Sequence, residues 1–289
     1  MDFSKAELQK IKLSFSSSIN LYLLRLDLID EEISGNKWFK LKVNLEQAIK
    51  SKKKQIITFG GAYSNHIAAT AKACNVFGLK SIGIIRGENV QNHTLNKAAV
   101  NGMEIKFVPR SLYKDEPALM QFLSNEYDLE KYFIIPEGGA NEAGVEGCKE
   151  IVSLINIPFS HIALACGTGT TLAGVLHEIS SNQIALGFAA LKGGSFLHEH
   201  IKKAVPKNTM ANFEIIENYH FGGYAKYTPA LISFIKQFEI EQLVKLDFVY
   251  TAKMMYGIYD LIQHNYFPEN ATIVAIHSGG LQGNSGIGI

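Results

Sequence analysis

Three short stretches carry the residue types that handle a phosphorylated aldehyde. Ser34-Gly35-Asn36-Lys37-Trp38-Phe39-Lys40-Leu41 puts amines and an amide at a glycine-marked turn that runs into an amphipathic helix. Gly60-Gly61-Ala62-Tyr63-Ser64-Asn65-His66 adds a hydroxyl, a second amide and an imidazole at another turn. A lysine leaving such a turn can form a Schiff base with pyridoxal phosphate, and a Ser-Asn-His group can hold a carboxylate or a ring hydroxyl. The same residues also suit plain surface turns, with Lys37, Lys40 and Lys42 as a solvated helix face. The third stretch, Ala165-Cys166-Gly167-Thr168-Gly169-Thr170-Thr171-Leu172-Ala173-Gly174, follows apolar Ile162-Ala163-Leu164 and reads as a phosphate cup. Its glycines let backbone N–H groups approach an anion closely. The lysine of a nucleoside-triphosphate loop is missing after the second glycine, and no dinucleotide-type glycine pattern with a downstream acid stands out, so a small phosphorylated cofactor fits better than a nucleotide.

The elements that must position these groups alternate between strand-like and helix-like runs. The pattern predicts strand Leu21–Leu26, helix Lys37–Ser51, strand Gln55–Phe59, helix Ser64–Val76, strand Ser81–Ile85, helix Thr94–Asn101, strand Glu104–Val108, helix Pro117–Tyr127, strand Phe133–Ile135 and helix Glu142–Leu154. A second series follows: strand His161–Ala165, helix Thr170–Ile179, strand Ile184–Ala189, helix Ser195–Lys203, strand Phe213–Ile216, helices Thr228–Phe238 and Lys253–His264, and strand Ile273–His277. Strands joined through helical crossovers imply parallel sheets in an α/β fold, with ligand sites at the carboxyl ends of the strands.

Composition sets wide bounds. With 289 residues, 47% hydrophobic and 19% charged, the chain can bury a core of one large or two closely joined domains. A net charge of +1 gives no basic stripe, and Lys50 to Lys54 is a short solvated helix end, so no nucleic-acid partner is expected. Cys74, Cys148 and Cys166 lack metal spacing and read as buried thiols in a reducing compartment. Met1 to Lys12 lacks a signal-peptide apolar core and no run reaches about 18 apolar residues, so a cytoplasmic protein without a membrane partner is expected. His198-Glu199-His200 places its imidazoles at i and i+2, on different helix faces, and no metal site is assigned there.

The order Gly-Asn-Lys-x-x-Lys, Gly-Gly-x-x-Ser-Asn-His, Gly-Thr-Gly-Thr-Thr, Gly222-Gly223-Tyr224, Tyr250-Thr251-Ala252-Lys253 and Ile276-His277-Ser278-Gly279-Gly280 resembles the D-cysteine desulfhydrase and 1-aminocyclopropane-1-carboxylate deaminase family, from about Gly35 to Gly280. The resemblance implies a fold-type-II pyridoxal phosphate enzyme of the tryptophan synthase β superfamily: α/β, with two domains, each a mostly parallel twisted sheet flanked by helices. Residues 1–42 with 150–289 would form the larger, cofactor-binding domain and 43–149 the smaller, and the expected assembly is a homodimer.

By resemblance Lys40 is the Schiff-base lysine and the base at the substrate Cα, with Lys37 and Lys42 as alternatives; the family's arginine before this lysine is Phe39 here. Ser64 would face the substrate, Asn65 would bond the cofactor's ring hydroxyl, and His66 and Asn36 would add substrate contacts, with a carboxylate as the partner of His66. Ser64 also suits a helix N-cap. Gly167, Thr168, Gly169, Thr170 and Thr171 would hold the phosphate, and Tyr224 and Tyr250 would protonate a leaving sulfur. Thr251 and Ser278 stand where the cyclopropane-deaminase branch has glutamate and leucine, so the ring nitrogen would meet neutral hydroxyls. Cys166 is expected to pack, and His277 to support its loop. The implied activity is β-elimination from D-cysteine or a similar small amino acid, giving pyruvate, ammonia and sulfide. The cyclopropane deaminase and a non-catalytic phosphate-ligand binder of the same fold are the alternatives.

Overall fold

The computed structural model describes residues 2–206 and 211–286. In chain order its first half contains β1 (Glu7–Ile11), β2 (Asn20–Arg25), α1 (Asn36–Lys50), β3 (Gln55–Gly61), α2 (Asn65–Val76), β4 (Lys80–Arg86), α3 (His93–Val100), β5 (Met103–Val108), α4 (Arg110–Lys114), α5 (Glu116–Glu126), β6 (Tyr132–Ile135) and α6 (Glu142–Cys148). The second half adds β7 (His161–Cys166), α7 (Thr170–Leu176), β8 (Ile184–Ala189), α8 (Phe196–Ala204), β9 (Asn212–Ile216), α9 (Pro229–Gln242), α10 (Thr251–Gln263) and β10 (Thr272–His277).

Two sheets result. One has six strands in the order β1-β2-β10-β7-β8-β9, the other four in the order β5-β4-β3-β6. Every pairing is parallel except β1 on β2. The early strand β2 therefore lies beside the last strand, β10, and the four-stranded sheet is built from the chain between them. Strand β1, absent from the sequence expectation, is an edge strand in which Ile11 alone is buried, so it lacks the apolar signal of the central strands. Central β7 is buried at all six positions, as a parallel strand covered on both faces must be.

The faces of the six-stranded sheet are covered by two apolar clusters. One includes Leu231, Ile235 and Phe238 of α9 with Met254, Met255 and Ile258 of α10; the other includes Leu172 and Val175 of α7 with Leu197 and Ile201 of α8. Helix α1 belongs to both halves of the molecule. Its Phe39 packs in a cluster of the larger sheet, while Leu41, Leu45 and Ala48 pack with Ile56 and Ile135 of the smaller one. It runs unbroken through positions 42 and 43, so the passage between sheets there is a packed helix. Helix α6 is shorter than expected, because residues Lys149–Leu154 continue as a 3-10 helix.

Local chemistry sets where the helices begin. Ser64, Asn92, Asp115, Asn141 and Thr228 each accept a bond from a backbone N–H of the first turn they precede. Helix α1 starts instead at Gly35, with φ at 64°, where an added Cβ would lie 2.0 Å from the carbonyl oxygen of Ser278. The Asn36 N–H donates to that same carbonyl at 3.3 Å, which ties the start of α1 to the end of β10.

Candidate active site

A cavity of about 430 Å³ lies at the carboxyl ends of the strands, between the two sheets. Its wall takes Gly61, Ser64, Asn65 and His66 from the end of β3 and the start of α2, and Arg86 from the end of β4. Glu137 and Gly138 follow β6, Cys166 to Gly169 end β7, and Ser278 follows β10. Asn36, Lys37 and Lys40 enter from α1, and Tyr224 and Tyr250 close the rim. The three stretches singled out in the sequence thus meet in one place.

Two amines share the cavity. Lys40, 6% exposed, has its Nζ 3.5 Å from Thr168 Oγ1 on the glycine-threonine turn. Lys37 donates to Asn36 Oδ1 at 2.6 Å, and the Asn36 amide in turn donates to Thr171 Oγ1 at 2.8 Å. Burial lowers the pKa of Lys40. Burial, and then the charge of Lys40, push Lys37 down to about 7. Lys42 points away and pairs with Glu150.

The turn Gly167 to Thr171 has Gly169 at φ 81°, and a Cβ there would meet Ile201 Cγ1 at 2.8 Å. Gly167, Thr168, Gly169 and Thr171 line the cavity; Thr170 does not. Its hydroxyl shares a 2.9 Å hydrogen bond with that of Thr168 and so acts through its neighbour. Ser64 lines the cavity and caps α2 as well, accepting from the Ile67 N–H at 3.4 Å. Asn65 Oδ1 accepts from Gln282 Nε2 at 2.8 Å.

Three expectations change in the structure. His66 cannot hold a carboxylate. Thr58 Oγ1 donates its proton to the Ile135 carbonyl at 2.9 Å, so across its 2.8 Å contact with His66 Nε2 it must accept. The proton then sits on Nε2, and Nδ1 is a bare acceptor, buried without a partner among the described residues. Burial, with Lys37 and Lys40 nearby, pushes the imidazolium down to about 3, so the ring stays neutral and two acceptors would face each other.

Thr251 is fully buried and does not line the cavity; its hydroxyl donates to Asp247 Oδ2 at 2.6 Å. Asp247 also accepts from the N–H groups of Val249, Tyr250 and Thr251, fixing the start of α10. Asn36 lines the cavity, but its amide bridges the turn and Lys37, which makes it a positioning group.

Ser278 does line the cavity, 7% exposed. Burial pushes the Cys166 thiol up to about 12, so it stays protonated packing on the cavity floor. His277 contacts the Lys245 carbonyl through Nε2 at 2.7 Å and accepts from the Gly279 N–H at Nδ1, supporting the loop that holds Ser278.

Sequence reading missed the polar group at the rim. Arg86 Nη1 lies 2.9 and 3.1 Å from the two Glu137 oxygens, Tyr113 donates to Glu137 Oε2 at 2.8 Å, and the guanidinium sits 5.6 Å from the Tyr113 ring centre. The available signal was a charged residue leading into glycine at a strand end, as in Arg86-Gly87 and Glu137-Gly138. Tyr224 and Tyr250 meet edge to face at 6.1 Å between ring centres. The Tyr250 and Tyr224 hydroxyls share a hydrogen bond, and burial holds the Tyr250 hydroxyl well above its ordinary range.

These residues fit a phosphorylated aldehyde. The glycine turn with a lysine beside it suits the phosphate, and a second amine whose pKa falls to about 7 suits the aldehyde. The sequence profile described as pyridoxal-phosphate dependent enzyme matches residues 11–279. A Thermotoga maritima protein provisionally named 1-aminocyclopropane-1-carboxylate deaminase is 30% identical, over 94% of this chain and 92% of its own. The Arabidopsis thaliana protein named bifunctional D-cysteine desulfhydrase/1-aminocyclopropane-1-carboxylate deaminase, mitochondrial, is 29% identical, over 91% of this chain and 73% of its own. A crystal structure described as an ACC deaminase homologue superposes with a TM-score of 0.82 at 28% identity, covering 97% of this chain and 90% of that one. Among the described residues no helix is long and apolar enough to cross a membrane.

Proposed function

The chain belongs to the pyridoxal-phosphate dependent enzyme family, and we propose that with this cofactor it expels a β substituent from a small amino acid, D-cysteine or a close analogue, releasing pyruvate, ammonia and sulfide. One observation carries the choice of reaction. Among the described residues lining the cavity the sole carboxylate is Glu137, already held by Arg86 and Tyr113, while Ser278 supplies a neutral hydroxyl at the end of β10. When bound, the cofactor supplies an electron sink for the Cα carbanion, and that sink is weaker where no free carboxylate keeps the ring nitrogen protonated. A weak sink suffices to lose a thiolate and serves poorly to open an unactivated cyclopropane.

The chain's own groups divide the remaining work. Lys40, whose Nζ lies beside Thr168 on the glycine-threonine turn, would hold the phosphate. Lys37, whose pKa burial and then the charge of Lys40 push down to about 7, would hold the aldehyde and take the Cα proton. This reverses the expectation that Lys40 does both. The place of Lys40 beside the glycine-threonine turn supports the change, as does the fall of Lys37 to about 7 through burial and then the charge of Lys40. Ser64 and Asn65 face the ligand from the first turn of α2. Tyr224, which lines the cavity and shares a hydrogen bond with Tyr250, passes its hydroxyl proton to the departing sulfur. The names of the Thermotoga and Arabidopsis relatives favour cyclopropane deamination as the second reading.

The test is a keto-acid screen of the loaded enzyme across D- and L-cysteine, D- and L-serine, β-chloroalanine and 1-aminocyclopropane-1-carboxylate. The proposal expects pyruvate from D-cysteine and β-chloroalanine, formed much faster than 2-oxobutyrate from the cyclopropane. Cyclopropane turnover that matches or exceeds that of D-cysteine would instead establish the deaminase reading.

A further inference from the structure

Lys253 is a buried lysine with no place at the cavity, 2% exposed in the middle of the core packed around α10. Its Nζ donates to two backbone carbonyls, His220 at 2.9 Å and Gly223 at 2.8 Å. Those carbonyls belong to a bend in which Phe221, Gly222, Gly223 and Ala225 all have positive φ, at 51°, 94°, 119° and 53°. Two of the four are not glycine. Such a bend carries backbone strain and persists only where its surroundings hold it.

Much of the holding comes from one helix. Besides Lys253, α10 supplies Asp260, whose Oδ2 accepts from the Tyr219 hydroxyl at 2.7 Å, and Gly257, where a Cβ would lie 2.8 Å from the Tyr219 ring. Tyr250, the residue on which α10 begins, meets Tyr224 at the rim. Tyr224 itself is 39% exposed and sits within the bend, so its place depends on the bend as well as on its contact with Tyr250.

We propose that Lys253 is a positioning residue that fixes Tyr224 over the cavity by clamping the carbonyls of His220 and Gly223. Its catalytic consequence rests on the reading of Tyr224 as proton donor to the leaving atom. An ammonium suits the task because it has three donors and no acceptor, so it satisfies two carbonyls on one bend at once, and charge assistance strengthens both bonds. Methionine has similar length and no donor; arginine keeps the charge and the donors.

Two readouts separate the clamp from the chemistry. In hydrogen exchange, measured with and without cofactor, Lys253→Met should speed exchange across residues 219–227 by about tenfold or more while β7 and β10 stay protected, as a local opening does. Lys253→Arg should restore much of that protection. In a double-mutant cycle on D-cysteine, Lys253→Met should lower kcat by about tenfold in the wild-type background and by less than about twofold in Tyr224→Phe, since a residue that acts through Tyr224 loses its effect without it. Unchanged exchange at 219–227 would overturn the clamp. Equal losses of kcat in both backgrounds would overturn its action through Tyr224. A Tyr224→Phe enzyme with full kcat would refute the proton-donor reading, and the exchange result would still decide the clamp.

Discussion

At the cup end of the cavity the wall comes from one short stretch, Gly167 to Gly169 and Thr171, joined to the first turns of α1, whereas the rim draws Arg86, Tyr113, Glu137, Tyr224 and Tyr250 from separated parts of the chain. The cup is closely packed: Gly169 abuts Ile201, and Asn36 bridges Thr171 to Lys37. The rim is more open, with the Arg86 and Glu137 side chains 37% and 40% exposed. On the proposed function, the packed end holds the cofactor and the assembled end selects substrate and leaving group. Substitutions at the cup should therefore act on cofactor affinity and fold, and those at the rim on KM and kcat.

The largest effect is expected where the expected glutamate position meets the packed side of the site. Thr251→Glu would drive a second carboxylate against buried Asp247, so it should destabilise the protein by about 3 kcal/mol or more through an uncompensated buried charge. Thermal or urea unfolding reads this directly. A stable Thr251→Glu protein with faster cyclopropane opening would show that the position faces the cofactor after all.

Next comes Gly169→Val. With φ at 81° and Ile201 at 2.8 Å, a branched side chain should cost about 1–3 kcal/mol in backbone strain alone, weakening cofactor binding by about 10- to 100-fold in a spectral titration. Unaltered affinity would place the phosphate elsewhere.

Lys37 gives a pH signature. Its pKa falls from 10.5 to about 7 on folding, so between those values the unfolded chain binds more protons than the folded one. The cost of burying the charge is complete below pH 7 and is relieved as the pH rises toward 10.5. The cofactor-free protein should therefore gain stability between pH 7 and pH 9 relative to Lys37→Met, compared by urea midpoint at both pH values. Parallel pH dependences would remove the argument that Lys37 is the readily neutral amine.

The smallest change belongs to the rim. Glu137→Gln weakens a partly exposed ion pair worth about 1 kcal/mol or less, so KM should move by no more than about fivefold with cofactor affinity unchanged. A Glu137→Gln enzyme that loses its cofactor would erase the distinction between the two ends.

The cup was legible in the sequence because its residues are consecutive and lie between an apolar strand and a helix. Most elements were legible for the same reason, with strong apolar runs in β3, β4, β7 and β8. The lysine roles were not. Lys37 and Lys40 are three residues apart on α1, so helical periodicity brings both to the cavity, and the proposed division between them rests on which lies beside the glycine-threonine turn, a contact across 128 residues. Thr251 matched a motif in register, yet its direction is set by Asp247 four residues earlier, which belongs to no motif. The bare Nδ1 of His66 depends on a proton that Thr58 gives to Ile135, 77 positions along the chain. Arg86 and Glu137 pair across 51 residues, and only the folded sheet brings them together.

The division of the two lysines is tested most directly by borohydride reduction of the loaded enzyme followed by peptide mapping. The account predicts the pyridoxyl group on Lys37, with Lys40 unmodified. A pyridoxyl group on Lys40 would contradict it and return both roles to that residue.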